Sequence, residues 1–416
     1  MNLSRIIILA THLSGVCLLL CTGSNAATLY WTQASGNWNA GGTVKRWAET
    51  SGGVLTTDWV NDSAAVIEYS NPTLGFGTNG QTVSVTTLTI NDGLTLTGTG
   101  STTYILNITT GGSGNLTLAT TAPVTSTNGA DVRLAGTEAW AGTLATSGDG
   151  DAAKNRIRVN AATAVGESTK LNLAGLRVEF NGNSGDTFTI GELQGTAGEV
   201  QMGTGSSATK TLIVKQTSDT VFAGSFTRSN SAGTAILRKQ GSGALTLSGS
   251  NALEQVYVED GRLIVNGSIT GNVTVSAGAS LDGTGTVGSV TLNGGATILY
   301  DLSATGGHLM ADSLVKGTGD GVYTFDFGGT GEAGQTCTLS SAVGAGFNSS
   351  DFAYANLASG LSGSFAIEGG TLTFSAITAA VPELSTYGMI AAAGVLAAAL
   401  YRKKRQAKAG PQKSIP

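Results

Sequence analysis

Three cysteines and two histidines are all that 416 residues carry. Cys17, Cys21 and His12 fall in an N-terminal apolar stretch that reads as a cleaved leader. Only Cys337 and His308 then remain, so no internal disulfide forms and no site of several thiolates or imidazoles can be assembled. No cofactor is expected. Cys337, within Thr336-Cys337-Thr338-Leu339, reads as a small buried strand residue. Charge is also scarce, at 12 % of residues, and the net charge of −5 offers no basic footprint for nucleic acid. With few Lys and Glu but 62 Gly and many Thr, the composition argues against helical domains and for short strands joined by turns. Glycine does not recur at every third position, which excludes collagen. No linker rich in proline or charge divides residues 120–236, so that region reads as one continuous structure.

What the sequence does contain is alternation. In residues 237–293, Ala244-Leu245-Thr246-Leu247, Leu263-Ile264-Val265, Val273-Thr274-Val275 and Val290-Thr291-Leu292 each place apolar residues at every second position. Gly, Asn, Ser or Asp closes each run, which is the pattern of a half-buried strand. The step from Leu245 to Leu263 is nearly the same as the step from Val273 to Val290. Strands this short cannot make a broad sheet, but at a near-constant step they can stack as rungs of a parallel β-solenoid. The pattern begins earlier, where Leu94 to Leu116 spans about one turn of such a coil. Asn91-Asp92-Gly93 and the Gly111-Gly112-Ser113-Gly114 run read there as turns. Residues 120–236 keep the pattern with more polar insertions, and alternation points Arg133, Arg156 and Arg158 outward. Residues 294–377 continue in broader, more aromatic strands that suit a terminal cap.

The run 239–249 (KQGSGALTLSG), then 258–266 (VEDGRLIVN) and 280–286 (SLDGTGT), resembles the autotransporter-associated β-strand repeat of secreted bacterial surface proteins. The connector Ala252-Leu253-Glu254-Gln255 replaces that family's Tyr-Thr-Gly-Gly-like turn. The resemblance implies an all-β fold, a right-handed parallel β-helix, over residues 76–378. It covers the passenger only, since no C-terminal series of amphipathic membrane strands follows.

Residues 1–26 read as a secretion signal for Sec-type export. Arg5 supplies the positive start, residues 6–20 the apolar core, and Ser24-Asn25-Ala26 the small residues before cleavage. Leu20 is too large for the lipoprotein position before Cys21. Residues 27–75 hold Trp31, Trp38, Trp47 and Trp59, four of the five tryptophans. A solenoid exposes an apolar end that must be covered, and large aromatics bury most area per residue. The same rings could instead stack sugars, which makes them glycan-contact candidates.

After Ala379 the composition breaks. Val381-Pro382-Glu383-Leu384-Ser385-Thr386 precedes an apolar run, and Arg402-Lys403-Lys404-Arg405 closes it. This order resembles the PEP-CTERM sorting signal, with Leu384 where that family has its second proline. The resemblance implies an exosortase-like membrane protease as partner, acting near Pro382-Glu383. It places residues 379–416 as a sorting tail with a short apolar helix. The run from Tyr387 to Tyr401 falls short of the ~20 residues of a full span, yet a basic cluster can hold such a helix transiently at the inner membrane. A permanent short anchor is the competing reading.

No nucleophile motif accompanies the single mature histidine. Asp149-Gly150-Asp151 lacks the remaining ligands of a calcium loop, and Glu259-Asp260-Gly261 reads as a turn. The expectation is an exported, non-catalytic structural or adhesive protein of the cell surface or exopolysaccharide matrix. The alternative is a polysaccharide lyase or hydrolase, or a glycan-binding module, on the same fold. A groove of clustered charged side chains along one face would favour that alternative.

Overall fold

The computed structural model describes residues 27–38, 45–75, 82–97, 104–119, 130–148, 155–202, 209–228, 233–302, 307–328, 331–378, 396 and 398–404. The described elements are overwhelmingly strands, and most pair in parallel with the equivalent strand one turn of chain later. Three ladders result. The first runs unbroken from Ser35–Asn37 to Phe352–Ala355. The second includes Thr187–Ile190, Thr209–Lys215, Thr234–Gln240, Gln255–Val258 and Asn272–Val275. The third stacks Leu106, Val132, Ile157, Val178, Val200 and Phe226. This is the arrangement of an all-β parallel solenoid.

Register explains the spacing. Leu94 faces Leu116, and Leu245 faces Leu263 across a shorter stretch of chain, so the turns tighten in residues 237–293. Leu263 and Val273 lie closer in sequence than one turn. They belong to different faces of the same turn, because Val273 pairs with Val256 and Val290. Rungs about 4.8 Å apart put like residues directly above one another, so most inward positions form apolar columns. Leu245 and Leu247 are fully buried in theirs. Thr246, between them, points out. The unusual connector is pinned at its corner: Leu253 is buried, and the amides of Ala252 and Glu254 donate to the carbonyls of Phe226 and Ala235.

Two expectations need correction. Asn91-Asp92-Gly93 and Gly111–Gly114 do not end strands. They are bends within Thr82–Thr97 and Tyr104–Ala119, where the register shifts between the two long strands. The cause is close packing: a Cβ on Gly112 would lie 2.4 Å from the Trp140 ring, and the Trp140 indole N–H donates to the Gly114 carbonyl at 3.0 Å. Glycine is required here for approach as well as for the φ of +100° at Gly114. Cys337 is half-buried, in an edge strand of a separate sheet.

That sheet is antiparallel and joins Thr336–Ser340, Thr371–Thr378 and Leu361–Glu368. Its Phe365 and Phe374 pack on Phe325, Phe327 and Phe352, covering the last parallel turns with aromatic surface. Residues 398–404 are helical and exposed. Among the described residues no helix is long and apolar enough to cross a membrane.

Candidate functional site

The four N-terminal tryptophans form one cluster. Trp47 packs against Trp31, Trp38 and Trp59 with ring centroids 5.3, 5.0 and 4.9 Å away. Its indole N–H donates to the Trp38 carbonyl at 3.0 Å. All four are buried, and their faces meet one another. A sugar-stacking platform needs an open ring face, and the faces of these rings are occupied by packing against one another. Of the sorting residues, Val381, Pro382, Glu383, Ser385, Thr386 and Arg405 lie outside the described residues. Arg402, Lys403 and Lys404 end the exposed C-terminal helix. Asp149-Gly150-Asp151 is also outside the described residues. Glu259-Asp260-Gly261 is the turn its chemistry implies, with Gly261 at φ +63° and its amide on the Asp260 carboxylate.

A groove that sequence reasoning did not locate runs along the first face. Three cavities of about 540, 280 and 690 Å³ lie end to end, the first two sharing Ile264 and the last two sharing Asp282, Leu299 and Asp301. One outward column forms the floor. It passes from Asn172 and Gln194 through Val221 and Thr246 to Ile264. It continues through Asp282 and Leu299 to Asp326. The acidic members are held in place. Asp282 accepts from the Gly283 amide at 2.7 Å and sits 3.8 Å from Arg262. Asp326 accepts from the Gly328 amide at 3.2 Å and from the Asn356 side-chain amide at 3.0 Å. Tyr300 closes one side; its hydroxyl donates to the Thr338 carbonyl at 3.1 Å and lies 3.0 Å from His308 Nε2. Burial pushes this phenol well above its ordinary range.

Charge is arranged differently on the third face. Asp131 and Glu179 point outward by alternation yet are buried beneath arginines. Arg133 pairs with Asp131 at 3.0 Å, and Arg156 pairs with Glu179 at 3.0 Å while lying 3.7 Å from Asp131. Arg158 reaches both acids at 3.6 Å. Burial pushes the Glu179 carboxyl up, against the pull of Arg156. The arginines do point outward, as alternation required, but as one staple across several rungs. Among the described residues no group of three or more His, Cys, Asp or Glu is placed to hold a metal ion.

Two further lysines occupy inward positions. Lys210 and Lys239 are fully buried on the second face, in phase with Leu212 and Leu237. Lys210 donates to the carbonyls of Gly182 and Asn183. Alternation alone carried the signal for Lys239, which follows Leu237 at the next inward position.

Compared with known proteins, the chain matches no family model, no curated protein and no solved structure.

Proposed function

We propose that this is an exported, non-catalytic β-solenoid that serves as a structural or adhesive element of the outer cell surface or exopolysaccharide matrix of a Gram-negative-type bacterium. The observation that carries the reading is the first ladder, which continues from Ser35 to Ala355 with apolar columns inside. Such a stack is extended and held by nearest-neighbour rungs, as suits a scaffold. We take its coil to be right-handed, the sense that parallel crossovers adopt almost without exception. Residues 1–26 would direct Sec-type export. Residues 379–416 would hold the chain transiently at the inner membrane until an exosortase-like protease acts near Pro382-Glu383.

The test is the C-terminal peptide of surface-extracted protein, read by mass spectrometry. A terminus near residues 381–386 is the expected result. Recovery of residues 388–416 intact in that fraction would replace sorting with a permanent anchor.

One observation favours a second reading, a polysaccharide hydrolase. Asp282 and Asp326 stand two rungs apart in the same outward column, with backbones about 9.6 Å apart by rung spacing, so two carboxylates line one groove as glycosidase chemistry requires. Both are already engaged as acceptors by neighbouring amides, which places them as fixed polar contacts first. Reducing ends released from a neutral polysaccharide, and lost on Asp326→Asn, would establish the hydrolase.

A further inference from the structure

We infer that the groove on the first face is a lengthwise binding site for a linear, uncharged polysaccharide. The inference rests on the matrix reading and deepens it by naming what the solenoid would hold and where.

Shape comes first. The cavities share lining residues and follow one floor column over eight successive rungs, about 34 Å at ~4.8 Å per rung. A small ligand would fill any one of them. A site that repeats along the axis suits an occupant that repeats as well.

The chemistry of the floor selects among polymers. Each strand along this ladder pairs its backbone with the rungs on either side, so the floor presents side chains and not a free strand edge. An extended peptide adding as a strand therefore has nothing to pair with. Carboxylates predominate: Asp219, Asp282, Asp301 and Asp326 line the groove, against Arg262. Polyanions such as uronate chains or nucleic acids would be repelled. The Asn172 half holds amides, hydroxyls and the exposed aliphatic Val221, with Asp219 and Arg262 of opposite sign. Vicinal sugar hydroxyls suit fixed carboxylate and amide acceptors such as Asp326 beside Asn356, while Val221 and Ile264 meet the C–H faces of the rings. The buried tryptophans take no part.

The test is affinity electrophoresis of the purified chain through gels containing neutral polymers (a mixed-linkage β-glucan, a β-1,3-glucan, a mannan, a xylan and dextran), with alginate and chitosan as charged comparators. Retardation by at least one neutral polymer is expected. Thr246→Trp, which fills the floor, and Asp282→Ala should each weaken it about tenfold. Both are outward positions, so melting midpoints near the parent's are expected, and either variant suffices if the other misfolds. Absence of retardation by every neutral polymer, retention of full retardation in a folded variant, or retardation by alginate or chitosan alone would overturn the site. The gel uses purified protein, so its outcome is independent of how the C-terminus is processed.

Discussion

The Lys239 ammonium lies 2.8 Å from the Asp260 carbonyl oxygen, one turn further along the chain. It also donates to Gly241 at 2.5 Å. Lys239 stands in an inward column between Val214 and Val258, at the end of its strand, where the ammonium reaches the carbonyls of the adjoining turns. Burial pushes it down to about 8 from an ordinary 10.5, while Asp260 and Asp219 pull the other way.

That placement sets a pH dependence. Between about pH 8 and 10.5 the unfolded chain still holds the proton that the folded chain has released. Through this group, stability should therefore rise across that window and stay level below it. Lys239→Met should remove the rise and, by leaving two carbonyls without their donor, cost about 1–3 kcal/mol at neutral pH. Urea melts of parent and variant from neutral pH to about pH 10.5 check both. Parallel profiles would show that the ammonium does not feel its burial.

Replacing Leu245 and Leu247 together with Asp puts two carboxylates into filled apolar columns. The cost should be several kcal/mol, comparable with the ~5–15 kcal/mol stability of a whole domain. Loss of the cooperative unfolding transition in circular dichroism is the expected readout.

Trp47→Ala should cost about 3–5 kcal/mol, because Trp47 touches three other indoles. In a stack whose turns contact only their neighbours, the damage should stay local. Hydrogen exchange should accelerate in residues 28–75 and remain slow in residues 244–275. Uniform acceleration would mean that the whole stack unfolds as one unit.

Chelator and reductant should leave the melting midpoint unchanged, since inter-rung hydrogen bonds and apolar columns hold the described turns. A drop with EDTA would point to a bound ion.

Period-2 alternation and turn residues were enough to read short strands, their inward faces and the turns that carry Leu94 to Leu116 and Leu245 to Leu263. They work because a side chain's face depends only on its position within its own strand. The bends at Gly93 and Gly112 were not legible, because the packing that requires them comes from Asn71 and Trp140, each about a turn away in the chain. Lys239 was readable by phase with Leu237, but its carbonyl partners were not.

The sequence by itself determined the strand grammar and the poverty in cysteine and histidine, because composition and local period settle these. Only the tertiary structure decided that Asp282 and Asp326 share a column, that Asp131 and Glu179 lie beneath arginines, and that the tryptophans face each other. The physical reason is the coil itself. Stacking makes neighbours of residues a whole turn apart, as Leu281 meets Ile298 and Phe325 meets Tyr354. Because the length of the turn changes along the chain, no fixed spacing in the sequence marks which residues will meet.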